Sequence, residues 1–178
     1  MEKRKECCEN AGNGCCEPGQ YMEKKKLLVE YLYLDLKSCE RCMGTDEVLE
    51  QVLAVLRPAL DLAGYETDYR KIEMATPELA VQYRFESSPT IRVNGRDIFG
   101  TVIESGCSCC GKIAGGDVDC RVFEHNGRLY EIPTKAMLTD AIIGAIHSAP
   151  QPEDPNYTLP ENLKRFYRGK RKQQEETP

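Results

Sequence analysis

The sequence predicts an α/β protein built on a mixed β-sheet of four to five strands that is flanked by helices. Three observations lead to this fold class. Strand-like and helix-like segments alternate along the chain. A helical segment joins the first two strands, which makes them a parallel pair with a right-handed crossover. Asn-Gly turns later in the chain join antiparallel neighbours. A chain of 178 residues is long enough for one such domain with its own core.

The first half of this domain is predicted to be a strand, a helix and a second strand. Residues 27–35 are apolar and aromatic, which is typical of a buried strand. Over residues 46–63 the apolar side chains recur at helical spacing, and Thr45 is the expected N-cap. Pro58 is expected to kink this helix or to end it early. Residues 65–72 alternate between polar and apolar and predict the second strand.

The second half of the domain continues with a short helix, a strand, an irregular insertion, a hairpin and a last helix. The Asn-Gly pairs mark tight turns between antiparallel strands. The corresponding segments are residues 77–83, the strand 90–93 with its Asn94-Gly95 turn, the Gly- and Cys-rich insertion 100–120, the hairpin 121–132, and a helix that begins at Thr134.

Two flanking segments differ in composition from the domain at residues 27–149. Residues 1–26 are rich in Gly, Glu, Lys and Cys and predict a flexible arm. Residues 150–178 are rich in Pro and charged residues and predict a tail. Within the tail, Leu163, Phe166 and Tyr167 are spaced to form one amphipathic turn that would dock on the domain.

Composition excludes several classes of function. The formal net charge is −5, and the acidic excess lies in the middle of the chain, which argues against nucleic acid as the main partner. No apolar run approaches the roughly 18 residues that span a bilayer, so no membrane partner is expected. The charged N-terminus leads into no apolar segment, which indicates a cytoplasmic protein without a secretory signal. In a reducing compartment, ten cysteines indicate redox or metal chemistry.

The motif Cys39-Glu-Arg-Cys42 lies directly after the first strand, where the chain enters the first helix. Free N–H groups and partial positive charge at a helix N-terminus favour a thiolate over a thiol. Cys39 is therefore predicted to be an exposed nucleophile, and Cys42 the thiol that resolves a mixed disulfide. The partner would be a protein or small-molecule thiol or disulfide, and this chemistry requires no cofactor. Half of a zinc site and plain packing remain the alternatives for the pair.

Ser88-Pro89 precedes the predicted third strand. Thioredoxin-like folds place a cis-proline at such a position, facing the two cysteines of the motif. Cis bonds are uncommon, at about 5–6% of X-Pro bonds in folded proteins. The combination of the strand, the Cys-x-x-Cys motif and the helix nevertheless predicts a cis bond before Pro89, which would shape the substrate groove.

Residues 32–45, residues 87–95 and the Cys-rich insertion resemble a prokaryotic family of thioredoxin-like proteins that is defined as a domain of unknown function. The resemblance covers roughly residues 27–148 and is most specific in Ser38-Cys-x-Arg-Cys42 and in Ser88-Pro-Thr-Ile91. It implies a thioredoxin-like fold of glutaredoxin size and redox roles for Cys39 and Cys42. It implies no particular substrate.

A second group of cysteines lies in the insertion. Cys107, Cys109 and Cys110 fall within four residues, and Cys120 follows shortly after. Closely spaced thiols can chelate a soft cation such as Zn²⁺, Cu⁺, Hg²⁺ or As(III). A local disulfide, a relay that supplies electrons to the Cys39-Cys42 pair, and an inert loop remain alternatives. The spacing matches no standard zinc finger, so it does not identify the metal.

A third group, Cys7-Cys8 and Cys15-Cys16, lies on the N-terminal arm. Four thiols on a flexible chain can close around one soft ion, and binding would then order the arm; a dispensable extension is the alternative.

Taken together, the cysteines support two hypotheses. The first is a thiol–disulfide oxidoreductase that acts through Cys39 and Cys42. The second is a protein that binds or sequesters a heavy metal or metalloid on a thioredoxin-like fold.

Overall fold

The structure is a computed structural model that describes residues 23–149 and 154–176. These residues form a four-stranded mixed sheet, a three-stranded antiparallel sheet and five helices. The predicted mixed α/β class is confirmed. The strands are divided between two sheets, because the hairpin at the end of the domain pairs with a strand from the insertion rather than with the first sheet.

The first sheet has the strand order β2-β1-β3-β4. Its strands are β1 (Lys25–Tyr33), β2 (Tyr65–Glu73), β3 (Thr90–Val93) and β4 (Arg96–Asp97). β1 and β2 run parallel, whereas β1 with β3 and β3 with β4 run antiparallel. The strand β1 therefore lies inside the sheet, and its side chains alternate between two buried faces.

Helix α1 (Glu40–Leu62) connects β1 to β2. It begins six residues before the predicted start, with Cys39 as the N-cap residue in an extended conformation. Pro58 lies inside the helix, so the expectation that it would end the helix early is wrong. Pro58 lies on the exposed side of the helix, where water can bond the carbonyl group that lacks an N–H partner.

The turn between β3 and β4 and the short helix α2 (Pro77–Gln82) follow the sequence closely. Asn94 and Gly95 both have positive φ angles, 50° and 79°, as this tight hairpin turn requires. The Thr76 hydroxyl caps α2 by accepting a hydrogen bond from the N–H of Leu79 at 3.2 Å. The bond between Ser88 and Pro89 is cis, as predicted.

The insertion is ordered, so the prediction of an irregular segment is wrong. It contains strand β5 (Ile103–Gly106) and helix α3 (Ser108–Ala114). The strands β6 (Asp119–His125) and β7 (Arg128–Tyr130) follow, and the sheet order is β5-β6-β7. The periodicity of the sequence does not predict β5, because this strand forms mainly through its pairing with β6 and only partly through its own Gly- and Ser-containing sequence.

Two groups of buried residues fill the two sides of the first sheet. One contains β1 side chains together with apolar residues of α1 and of helix α4 (Lys135–Ile146), which begins after its Thr134 cap as expected. The other contains Leu32 of β1 and residues of α2, α3 and the C-terminal helix. This second group, which we call the cysteine-side core, contains the five buried cysteines Cys39, Cys42, Cys107, Cys110 and Cys120.

The C-terminal helix α5 (Glu161–Glu176) is much longer than the single turn expected in the tail. Leu163 and Phe166 are fully buried in the cysteine-side core, and Tyr167 is 8% exposed. Burial of this apolar face accounts for a helix that its charged composition alone does not predict. Within the described residues, none of the helices combines the length and the apolar character needed to cross a bilayer.

Candidate metal centre

A tight turn after β1 places Cys39 at the start of α1. One carboxylate oxygen of Asp35 accepts hydrogen bonds from the backbone N–H groups of Lys37, Ser38 and Cys39, at 3.1, 2.6 and 3.0 Å. Burial alone would raise the pKa of Asp35, but these hydrogen bonds outweigh it and hold the pKa below its ordinary value. The turn fixes the backbone from which the Cys39 side chain enters the core.

Three further cysteines come from the insertion. Cys107 is the N-cap residue of α3, and Cys110 lies in the first turn of the same helix. Cys120 lies on β6, opposite Ser105 of β5. The backbone N–H of Cys107 donates to the carbonyl of Val118 at 2.8 Å, which closes the loop that contains α3. The fold therefore brings thiols from α1, α3 and β6 to one place.

The Sγ atoms of these four cysteines, Cys39, Cys107, Cys110 and Cys120, all lie within 4.8 Å of one another and could hold a metal ion. The Cys39 sulfur is 4.0 Å from that of Cys107 and 3.9 Å from that of Cys110. The Cys110 and Cys120 sulfurs are 3.3 Å apart. Each of the four residues is at most 7% exposed. All six cysteines in the described part of the chain are free thiols. We call these four residues the four-cysteine group.

Cys42 is buried next to this group without being part of it. Its sulfur lies 3.3 Å from the Ser88 hydroxyl oxygen, which also accepts a hydrogen bond from the N–H of Leu34 at 3.0 Å. Its carbonyl oxygen accepts a hydrogen bond from the hydroxyl of Tyr31 at 2.6 Å. Cys42 therefore contacts the segment that contains the cis bond before Pro89, as expected for that proline.

The sulfurs differ in their affinity for protons. Hydrogen bonds from the thiols of Cys107, Cys110, Cys120 and Cys42 lower the pKa of Cys39 far below its ordinary value. Hydrogen bonds from Cys110 and Cys120 lower the pKa of Cys107 to about 6. Hydrogen bonding to Cys107 raises the pKa of both Cys110 and Cys120, and a hydrogen bond to Cys39 raises that of Cys42. A cation that binds all four sulfurs must displace the protons from the two thiols of higher pKa.

The guanidinium of Arg41, which lies inside the Cys39-x-x-Cys42 motif, is also buried beside the group. It donates to the carbonyl oxygen of Cys120 at 2.9 Å and to those of Ser105 and Gly106, each at 3.3 Å. It also forms an ion pair with Glu131. The sequence did not predict these carbonyl contacts.

The C-terminal segment covers the cysteine-side core. The side chain of Asn162 bonds both backbone groups of Asp119, the residue before Cys120, at 3.0 and 2.7 Å. The hydroxyl of Tyr167 donates to the carbonyl of Met74 at 2.8 Å. Gly169 lies against the backbone of α3, where a Cβ atom would be 2.0 Å from the carbonyl oxygen of Ala114. The contacts of Asn162 and Gly169 attach α5 to the elements that carry Cys107, Cys110 and Cys120, and the contact of Tyr167 attaches it to the segment after β2.

The structure contradicts one prediction about the site and places one further predicted residue outside the four-cysteine group. Cys39 is fully buried, so the prediction of an exposed nucleophile is wrong; its sulfur lies in the cysteine-side core, 3.9 Å from that of Cys110 on α3. Cys109, expected among the metal ligands, lies outside the four-cysteine group because it occupies a different face of α3 from Cys110. Cys7, Cys8, Cys15 and Cys16 lie outside the described residues.

Sequence analysis gave half of a zinc site only as an alternative for the Cys39-Cys42 pair and did not join Cys39 to the cysteines of the insertion. A signal was present: Cys107 and Cys110 form a second pair at positions i and i+3, with the same spacing as Cys39 and Cys42. Both pairs begin at the N-cap of a helix. Two such pairs more than 60 residues apart suggest a shared site, although the pattern does not show which cysteine of each pair takes part.

A sequence model of one protein family, described as Domain of unknown function (DUF2703), matches residues 27–142. The match covers more than half of the chain and includes all four cysteines of the group. The chain therefore belongs to this family. Neither the curated proteins nor the solved structures contain a match to the chain.

Proposed function

We propose that the protein binds one soft metal ion through the thiolates of Cys39, Cys107, Cys110 and Cys120. The observation that carries this proposal is the convergence of four buried, unpaired sulfurs within 4.8 Å of one another. In a tetrahedral centre with Zn–S bonds of about 2.3 Å, neighbouring sulfurs are about 3.8 Å apart. The pairs in direct contact here, at 3.3, 3.9 and 4.0 Å, are close to that spacing.

The donor set supports a soft ion, and its burial supports retention of that ion rather than catalysis at it. Four thiolates favour zinc and other thiol-seeking ions over magnesium or calcium, which prefer oxygen ligands. Catalytic zinc sites leave one position for water or substrate, whereas structural sites fill all four positions with protein ligands. Every cysteine residue in this group is at most 7% exposed, so the centre is of the closed kind.

We further propose that the scaffold is thioredoxin-like. The β1-α1-β2 unit with a Cys-x-x-Cys motif at the start of α1 supports this assignment. So do the antiparallel pairing of β1 with β3 and the cis bond before Pro89, one residue before β3. On this scaffold, the insertion between β4 and β7 adds three thiols to the first cysteine of the motif.

Cobalt titration of the full chain tests the proposal. The background variant carries Cys7→Ser, Cys8→Ser, Cys15→Ser and Cys16→Ser, which removes the thiols of the N-terminal arm without touching the four-cysteine group. We expect one Co²⁺ per chain, with sulfur-to-cobalt charge-transfer absorption. Loss of a residue that only supports a metal ligand weakens binding by roughly 10–100-fold. Cys110→Ser removes a ligand itself and should weaken binding by at least that factor.

Cys109→Ser is the matched control, since this residue lies on the same helix and outside the group. It should bind cobalt as the background variant does. Absence of charge-transfer absorption in the folded background variant, or equal losses in Cys109→Ser and Cys110→Ser, would refute the metal centre.

A thiol–disulfide oxidoreductase is the second candidate, supported by the Cys39-Cys42 pair itself. The pKa of Cys39 is lowered and that of Cys42 is raised, as expected of an attacking and a resolving thiol. The Cys39 thiolate would attack a disulfide RS–SR and release one RS⁻. The Cys42 thiol would then lose its proton and displace the second RS⁻, which leaves a Cys39–Cys42 disulfide for an external thiol to reduce.

Cys42→Ser separates the two candidates. If the protein is an oxidoreductase, this variant loses turnover in a glutathione-linked disulfide assay. If it is a metal-binding protein, the variant keeps its ion, because Cys42 is outside the four-cysteine group. Since both sulfurs of the pair are fully buried, turnover would also require movement of the covering elements, and the metal centre is the better-supported candidate.

A further inference from the structure

Arg41 is buried to 6% exposure between two cysteines, and its donors are directed to the backbone of the second sheet. A guanidinium remains charged in proteins, so burying it is costly unless its donors find acceptors. Here it donates to the carbonyl oxygens of Ser105, Gly106 and Cys120 and pairs with Glu131 at the surface.

These three carbonyls belong to β5 and β6; Cys120 lies on β6, and β5 leads directly into Cys107 at the start of α3. Ser105 and Cys120 are opposite each other in the β5-β6 pair. Gly106 is the last residue of β5 and directly precedes Cys107. The Arg41 side chain therefore connects the helix start that positions Cys39 to both segments that position the remaining ligands.

We propose that Arg41 is a positioning residue of the metal centre: it holds the β5-β6 pair against α1 at ligand spacing and supplies a buried positive charge beside the thiolates. The inference rests on the proposed function. Four thiolates around a divalent ion carry a net charge of −2, which is unfavourable in an apolar core without a compensating charge. Glu131 offsets only part of the charge of Arg41, because the Glu131 side chain is 70% exposed and solvated.

The test must separate support of the metal centre from general support of the fold. Arg92 offers a matched control, since its guanidinium also donates to two backbone carbonyls, those of Tyr83 at 2.7 Å and Arg84 at 3.0 Å. Neither residue carries a sulfur ligand. Arg92→Met should therefore lower the stability of the fold without changing metal affinity.

The experiment compares Arg41→Met, Arg41→Lys and Arg92→Met, each in the full chain with the four arm cysteines replaced by serine. Cobalt and cadmium affinities are measured by competition with a chelator, and thermal unfolding is followed in parallel. Arg41→Met should weaken binding by about 10–100-fold. Arg41→Lys should recover part of that loss, because an ammonium keeps the charge but lacks the planar fork that reaches several carbonyls.

The outcomes distinguish this inference from the function on which it rests. If Arg41→Met binds metal as tightly as the background variant, or if Arg92→Met weakens binding equally, the inference is overturned while the metal centre stands. If the background variant itself binds no metal, both are overturned. If Arg41→Met does not fold, Arg41→Lys is compared with Arg92→Lys. Loss of metal affinity in Arg41→Lys alone supports the inference, and equal metal affinities of the two variants overturn it.

Discussion

Replacing Gly169 with alanine tests whether α5 seals the cysteine-side core. A Cβ atom at this position would lie 2.0 Å from the carbonyl oxygen of Ala114, 2.8 Å from its carbonyl carbon and 3.0 Å from its Cα. These are backbone atoms of α3 and cannot rotate out of the way. Because carbon and oxygen atoms normally stay about 3.3–3.6 Å apart, α5 must move away from α3 by more than about 1 Å.

The magnitude follows from two opposing effects. Overpacking of a well-packed interface costs about 1–3 kcal/mol, and the upper end applies because the contacted atoms are backbone. Alanine gains about 1 kcal/mol over glycine inside a helix. The expected result is a loss of about 2 kcal/mol in the free energy of unfolding. Gly144→Ala in α4 is the control: nothing lies within 4 Å of its Cβ position, so it should gain up to about 1 kcal/mol.

Urea unfolding followed by circular dichroism measures both variants, since the chain has no tryptophan to serve as a fluorescent probe. A second measurement is the alkylation rate of Cys110 in the reduced, metal-free protein, resolved by mass spectrometry. A loss of about 2 kcal/mol in the docking of α5 raises the open population about 30-fold, and the alkylation rate should rise accordingly. If Gly169→Ala stabilises the protein as Gly144→Ala does, α5 does not pack on α3 as described.

Three further predictions concern the same part of the molecule. Burial raises the pKa of Tyr157 to about 12, and its hydroxyl donates to the carbonyl of Phe85 at 2.6 Å. Because the pKa of Tyr157 is higher in the folded than in the unfolded protein, its neutral form stabilises the fold below about pH 10, and this contribution is lost as the pH rises through about 12. A tyrosinate absorbance titration of Tyr157→Phe against the parent should show the loss of one late-ionising group. Bound zinc should prevent a mild disulfide oxidant from linking Cys39 to Cys42, which peptide mapping detects; equal rates of disulfide formation with and without zinc would contradict ligation by Cys39. Asp35→Ala should cost about 1–2 kcal/mol, as loss of a helix cap does, whereas Asp35→Asn, whose amide oxygen still accepts hydrogen bonds, should cost clearly less in the same urea experiment.

Local signals in the sequence predicted the central elements well. The strand β3 has the predicted bounds, and α4 begins after the predicted Thr134 cap. The mixed sheet follows from the helix that joins β1 to β2 and from the Asn94-Gly95 turn. Each of these features depends on residues close together in the chain, and short-range patterning is sufficient to predict them.

The parts that sequence reasoning missed depend on contacts between distant segments. Strand β5 is ordered by pairing with β6, and α5 by burial of Leu163 and Phe166 against the domain. The four-cysteine group requires that Cys39 meet sulfurs 68 and 71 positions away. Spacing along the chain shows which cysteines are close in sequence, but tertiary packing decides which sulfurs meet, and it selects Cys39 and Cys110 while leaving out Cys42 and Cys109.

The cysteine ligands and the helix α5, which packs in the same core, lie in different parts of the chain. Metal affinity and the rate of metal exchange can therefore be changed separately. All four cysteines of the group fall within the segment matched by the family, at residues 27–142, whereas α5 lies beyond it. Phe166 and Tyr167 pack in the same core as the sulfurs and supply no sulfur themselves. Loosening α5 should therefore speed both the entry and the release of an ion while the number of sulfur ligands stays at four. Changes at Cys39 or Cys110 alter the ligand set itself, so comparing exchange rates with equilibrium affinity assigns each element its role.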